Sequence, residues 1–280
     1  MIPQTPQTPQ TPQTLMHRLH HPWVLSLLLA GCSSEEEPEP QPSPDPAGLP
    51  ASDALSDEFD DAGTLSSWRQ WHQVAGTDRP YELLDIGRTN AGMLTLQPKA
   101  GGWFGGNEGP LLYKMVEGDF VVETWVSAAK FGDPGSPPDE QFNSAGLMAR
   151  DPVTGDGRDN WIMFNVGRQE GARVATEGKT TVNSQSTLEL VDGPRQGRLR
   201  ICRVGSTFVL ARRMEGEGAL TVMHRYERPD LPEALQVGMV ATGWNSAEPQ
   251  PDLSRTPDIT GAFDYMRFSK PEGEADCTAE

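Results

Sequence analysis

Gly118-Asp119-Phe120-Val121-Val122-Glu123-Thr124-Trp125-Val126 is the stretch that decides the fold. Gly-Asp punctuates the chain, and β-branched and aromatic residues follow without a helical period. Side chains two apart share a face in an extended chain. Phe120, Val122, Thr124 and Val126 therefore form one face, and Val121, Glu123 and Trp125 the other. The first set suits a core. The second leaves an acid and an indole on the opposite surface.

The same grammar repeats outward from this segment. Gly146 opens Leu147-Met148-Ala149-Arg150, and Asn160 opens Trp161-Ile162-Met163-Phe164-Asn165-Val166. Gly197 opens Arg198-Leu199-Arg200-Ile201-Cys202-Arg203-Val204, and Gly205-Ser206 turns the chain into Thr207-Phe208-Val209-Leu210-Ala211. Gln236–Ala241 and Phe263–Phe268 complete the set. No amphipathic stretch of helical period reaches three turns. Short strands without crossover helices predict an all-β chain, two antiparallel sheets packed as a sandwich or jelly roll.

The order of the runs carries a resemblance. "DEFD" at 57–60, "GPLLYK" at 109–114, "GDFVVETWV" at 118–126, "AGLMARD" at 145–151, "NWIMF" at 160–164, "RLRICRVG" at 198–205, "LQVGMVA" at 235–241 and "FDYMRFS" at 263–269 resemble a bacterial concanavalin A-like module of unknown function. That module is similar to the C-terminal β-sandwich of some β-xylosidases. The resemblance spans 56–270 and implies two curved antiparallel sheets with the first and last strands paired. It implies glycan recognition only loosely, because one fold hosts lectins, glycanases and structural modules.

Hydrolysis of a glycosidic bond needs two carboxylates across the scissile bond. Hydrolases with this sandwich often carry them on one strand as Glu-x-Asp-x-x-Glu or Glu-x-Asp-x-Glu, and neither pattern occurs here. Glu123 has Val121 and Trp125, not acids, as same-face neighbours. No Gly-x-Ser-x-Gly elbow or phosphate-binding glycine loop appears, and His72 and His224 stand in unrelated contexts. No catalytic residue is assigned. A divergent glycoside hydrolase and a structural or protein-partner-binding protein are the rival readings to non-catalytic carbohydrate binding.

Sugar recognition stacks flat aromatic faces on pyranose C–H groups and uses planar polar groups for hydroxyls. Trp125 and Glu123, with Trp161 and Asn165 from the 161–166 run and Arg150 beside it, are the expected sugar platform. The competing expectation is that Trp125 and Trp161 simply pack under loops. Trp103, in the glycine-rich "GGWFGG" at 101–106, and Trp244 sit in loops, where exposure is expected. The loop Asp151-Pro-Val-Thr-Gly-Asp156-Gly-Arg-Asp159-Asn160 has the Asp and Gly of turns. Its oxygens, from Asp151, Asp156 and Asp159, also suit calcium, though the spacing is not that of an EF-hand. No other cofactor is expected.

The amino terminus supplies the address. Trp23, Val24, Leu25 and Leu27–Leu29 form a short apolar run that ends in Leu29-Ala30-Gly31-Cys32. The run is shorter than the roughly 20 residues that span a bilayer and has the size of a secretory h-region. It looks like the lipobox of a bacterial lipoprotein, which implies acylation at Cys32. Ser33 and Ser34 follow the cysteine, and by resemblance to Gram-negative lipoproteins this favours the outer membrane, with the domain facing the periplasm or the cell exterior. Pro-Gln-Thr repeats precede Met16, so residues 1–15 are read as an over-extended start within a signal peptide of 1–31. Residues 32–55, rich in Glu and Pro, are read as an extended stalk, 56–270 as the sandwich, and 271–280 as an acidic tail.

The full chain carries a formal charge of −17. Removing 1–31 leaves 22 basic against 40 acidic side chains, −18 in all. That balance argues against nucleic acid and against anionic headgroups, and suits neutral ligands such as a glycan or cell-surface polysaccharide. Export places the two remaining thiols, Cys202 and Cys277, in an oxidising compartment. A disulfide there would pin the tail to the Cys202 strand; the alternative is a buried Cys202 with a free Cys277.

Overall fold

The computed structural model describes residues 52–106, 108–153, 158–245, 252 and 255–279. Cys32, Asp156 and nearly all of the 1–31 and 32–55 segments lie outside the described residues. Among those described, no helix is long and apolar enough to cross a membrane.

The strands are β1 (Arg69–Gln70), β2 (Tyr81–Ile86), β3 (Leu94–Pro98), β4 (Leu111–Glu117), β5 (Phe120–Lys130), β6 (Asn143–Arg150), β7 (Trp161–Arg168) and β8 (Val174–Val182). They continue with β9 (Gln185–Asp192), β10 (Gln196–Val204), β11 (Thr207–Met214), β12 (Thr221–Glu227), β13 (Ala234–Thr242), β14 (Ile259–Phe263) and β15 (Arg267–Ser269). A short α-helix, α1 (Trp71–Ala75), follows β1. A seven-stranded sheet runs β1-β4-β13-β6-β7-β8-β9. An eight-stranded sheet runs β12-β11-β10-β5-β14-β3-β2, with β15 also paired to β5. All the strand pairings are antiparallel.

The chain passes from β4 in one sheet to β5 in the other through Gly118-Asp119, and Gly118 takes φ +72°, which glycine adopts without Cβ strain. The expected faces of β5 hold. Phe120, Val122 and Val126 enter the core between the sheets, where they meet Leu147, Ile162, Phe164 and Val237 of the seven-stranded sheet. Burial of this alternating set drives the layering.

β1, β2 and β3 stand outside the expected strand list, and three further features depart from it. The 263–268 run is broken: β14 ends at Phe263, Asp264 N–H donates to the Trp125 carbonyl, and β15 resumes on β5 at Arg267. The β8–β9 hairpin turns at Asn183-Ser184, both at positive φ (48° and 59°), a primed-type turn without glycine. β12 is a largely exposed edge strand with no apolar run to announce it. The expected pairing of first and last strands is corrected: β1 pairs with β4 and β15 with β5, in different sheets. The two ends of the domain meet instead through an isolated bridge, in which Asp57 and Met266 exchange backbone hydrogen bonds, and the Asp57 carboxylate accepts from Trp68 Nε1 at 2.8 Å.

Candidate functional site

The expected platform is divided between the two outer faces of the sandwich. Trp125 and Glu123 lie on β5 of the eight-stranded sheet, whereas Arg150, Trp161 and Asn165 lie on β6 and β7 of the other. The expectation of one shared surface is corrected on this point. Alternation assigned the faces, but it could not say which sheet each strand joins.

The outer face of the seven-stranded sheet is closed. Trp161 and Arg150 are fully buried, Asn165 is 1% exposed and Trp103 2%. The expected exposure of Trp103 is therefore also corrected. Its indole packs edge-on against Trp161 at 6.4 Å, its backbone carbonyl accepts from Lys179 Nζ, and Gly105 N–H donates to Ser186 Oγ. The 101–106 segment thus lies across this face, because its aromatic residue found an apolar floor in Met148, Trp161 and Met163. Trp244 is partly buried, edge-on to Phe142.

Arg150 is the centre of this closed face. Its guanidinium donates to Gln236 Oε1 at 3.1 Å and to Asp159 Oδ1 at 3.1 Å, pairs with Glu108 at 3.5 Å, and sits over the Trp71 ring at 3.9 Å. Burial pushes its pKa down, and Glu108 and Asp159 pull it back up. Arginine nevertheless stays charged at any physiological pH. Deeper along β7 and β8, Asn165 accepts from Gln169 Nε2 at 2.9 Å, and Glu177 pairs with Lys179 at 2.7 Å.

This accounts for two of the acidic-loop residues. The Asp159 carboxylate is spent on Arg150 and on Ser184 Oγ at 3.1 Å, so it does not stand open beside Asp151. Asp151 accepts from Val153 N–H at 2.8 Å, a turn contact, and burial raises its pKa. Among the described residues no group of three or more His, Cys, Asp or Glu is arranged to hold a metal.

The outer face of the eight-stranded sheet is covered around Cys202 and opens at Trp125. Pairing of β10 with β5 sets Arg198 opposite Trp125 and Arg200 opposite Glu123. The Glu123 carboxylate accepts from Arg200 at 2.7 and 2.9 Å, from Arg198 at 3.4 Å and from Tyr265 Oη at 3.3 Å. Burial and the Glu123 charge push the Tyr265 phenol up to about 12. Glu123 is thereby held as an acceptor between two cations. Partly exposed Trp125 and Tyr265 line a cleft of about 320 Å³ with Arg198, Arg213, Glu215 and Glu217. A second cleft of about 370 Å³ lies on the other side of Glu123, lined by Glu58, Arg200 and Arg267 among others. There Arg267 grips Glu58 with two bonds of 2.7 and 2.8 Å and covers the Tyr265 ring at 4.0 Å.

Tyr265, Arg198 and Arg213 were not singled out from the sequence. A signal existed for one of them, since Arg198-x-Arg200-x-Cys202 alternates, but the partner strand that aligns Arg198 with Trp125 is set by folding.

The Cys202 and Cys277 sulfurs are bonded, with Cα atoms 5.4 Å apart. Both are fully buried with Val121 and Val209. Arg200, while holding Glu123, also donates to the backbone carbonyls of Cys277 at 3.2 Å and Ala279 at 2.7 Å. The tail is therefore bolted to the same outer face as the clefts.

No protein-family model matches the sequence, and no curated protein matches it. Solved structures do. Xylan β-1,4-xylosidase from Bacillus halodurans superposes with a TM-score of 0.56 at 16% identity, over 82% of this chain and 41% of that one. A Bacteroides ovatus protein titled Xyloglucan PUL GH43B gives 0.54 at 12% identity, over 78% and 39%. A functionally unknown protein from Saccharomyces cerevisiae gives 0.53 at 14%, over 75% of this chain and 99% of that one. The chain thus spans about two fifths of the length of the two bacterial proteins. At these identities the likeness shows architecture alone, and the architecture is a concanavalin A-like jelly-roll sandwich of two antiparallel sheets.

Proposed function

We propose that the protein is an exported lipoprotein, acylated at Cys32 and carried on the outer membrane, whose sandwich binds a glycan without cleaving it. The observation that carries the binding reading is the cleft at Trp125. Of the two tryptophans expected to form a sugar platform on strands, this one keeps part of its ring exposed, with Tyr265 beside it and Arg198 across the strand pair. An indole face with neighbouring guanidinium donors is the chemistry that stacks on a pyranose and bonds its hydroxyls. Glu123, the one acid singled out for this face, is held by Arg198, Arg200 and Tyr265, which supports binding over hydrolysis.

Two of the similar structures are named for xylosidase and xyloglucan contexts, so xylo-oligosaccharides and xyloglucan fragments are the first probes. The test is a glycan-array screen of the purified protein beside Trp125→Ala, with product analysis on any glycan bound. Binding that disappears in Trp125→Ala with no cleavage products supports the reading. Cleavage of a bound glycan would replace it with the hydrolase reading, and the absence of any binding with the partner-binding reading. For the anchor, Cys32→Ala should abolish fatty-acid labelling and leave the precursor unprocessed.

A further inference from the structure

An unpaired edge strand offers backbone donors and acceptors to any second chain, and folded proteins blunt such edges with short strands, bulges or charge. The sheets of the sandwich end in β1 and β9, and in β12 and β2. β1 is two residues long. β2 slips register against β3 between Tyr81 and Leu83, and β12 against β11 beside Leu210 and Ala211. β12 also carries His224, Arg225 and Glu227. β9 has none of these devices. Its eight residues keep unbroken register with β8, and the run Gln185–Leu190 holds no proline, no basic side chain and one acid, Glu189.

Which backbone groups of β9 face outward follows from its pairing. Antiparallel partners alternate between pairs that exchange hydrogen bonds and pairs that do not. Gly193 N–H donates to the Val174 carbonyl at 3.2 Å, and the turn at Asn183-Ser184 closes on the pair Val182 and Gln185. Gln185, Thr187, Glu189 and Val191 therefore direct their backbone groups to β8, and Ser186, Leu188 and Leu190 direct theirs away from it. Arg212 reaches the Val191 carbonyl at 3.2 Å and covers that end. Among the described residues no strand, loop or side chain bonds to the backbone of Ser186, Leu188 or Leu190.

We propose that β9 is the docking edge for a second copy of this chain, the two β9 strands pairing antiparallel about a twofold axis at Leu188. Leu188 then exchanges both backbone bonds with its twin, and Ser186 does so with the partner's Leu190 on either side. The side chains favour this register over its neighbours. Thr187 stands opposite the partner's Glu189, a hydroxyl donor beside a carboxylate, and Leu188 meets Leu188. An axis at Glu189 would set two carboxylates face to face, and one at Thr187 would set Leu188 against serine. The axis is perpendicular to the sheet, so both Trp125 clefts look to the same side. Bivalent glycan capture there rests on the binding reading above; the pairing of β9 does not.

Sedimentation of the purified protein without glycan tests this. The formal charge of −17 opposes association, so the measurement is made near 0.15 M salt, where the Debye length is about 8 Å. A reversible monomer–dimer equilibrium is expected. Leu188→Pro removes an outward N–H while sparing the bonds to β8, and should give a folded monomer by circular dichroism and sedimentation. Thr187→Glu, on an exposed side chain, places like charges opposite each other in both symmetric pairs and should weaken the dimer by about 2–30-fold. Thr187→Lys should tighten it by a similar factor. These two variants decide the matter even if Leu188→Pro fails to fold. A protein that stays monomeric up to about 1 mM overturns the proposal. So does a dimer that persists in folded Leu188→Pro, or one indifferent to both changes at Thr187.

Discussion

Trp125 and Trp161 stand on opposite faces of the sandwich, the first at an open cleft and the second fully buried beneath Trp103. The two indoles therefore have different jobs, and truncation should separate them. Trp161→Ala removes a ring packed with Trp103 and should cost about 3–5 kcal/mol of stability. Trp125→Ala removes a partly exposed ring and should leave the melting temperature close to wild type while abolishing glycan retention. Thermal melts and affinity electrophoresis on the two variants read this directly. A large melting loss in Trp125→Ala would move the binding site elsewhere.

Reduction should loosen the tail. Cys202 and Cys277 close a loop 75 residues apart in sequence, and removing such a cross-link costs about 2–4 kcal/mol. Thiol counting on denatured, unreduced protein should find neither cysteine free. Cys277→Ser should lower the melting temperature and expose the segment after Pro271 to protease. Arg200→Lys should reproduce part of the protease sensitivity, because a single ammonium cannot hold Glu123 and the tail carbonyls together.

Arg150 and Asp159 form a buried pair whose halves depend on each other. Arg150→Met should destabilise by about 3–5 kcal/mol, since it strands the Asp159 carboxylate. Adding Asp159→Asn should recover part of that loss. Equal melting temperatures for the single and double variants would show that the pair is not coupled.

All four tyrosines, Tyr81, Tyr113, Tyr226 and Tyr265, have phenols pushed above their usual range, in each case chiefly by burial. Folding favours the neutral phenol. The stabilisation is complete below the ordinary phenol pKa near 10 and is lost as pH rises through the folded value, about 12 for Tyr265. Phenolate absorbance should therefore rise later in the native protein than in denaturant, and stability should fall from about pH 10 upward. A native titration centred at 10 would contradict this.

Because Asp159 is committed to Arg150 and Ser184, calcium should have little to hold it at the 151–160 loop. Melting temperature should be unchanged by a chelator or by added calcium. A rise of several degrees with calcium would show that the loop holds the metal.

What the sequence by itself determined is local. Alternation in Phe120–Val126 placed Val122 in the core and Trp125 outside it, since side-chain direction in a strand follows from backbone geometry alone. Glycine at 118 and 205 marked turns because those backbones need positive φ. The β8–β9 hairpin escaped notice because Asn183-Ser184 turns without glycine and β9 is polar. What only the tertiary structure decided is which outer surface each strand shares. Trp125 met Arg198 and Tyr265 rather than Trp161 through pairing of β5 with β10 and β15. Trp103 turned inward because a loop tryptophan gains more by covering Met148 and Trp161 than by facing water. Both outcomes depend on long-range register and on the area available for burial, and neither is written within a few residues of the side chains concerned.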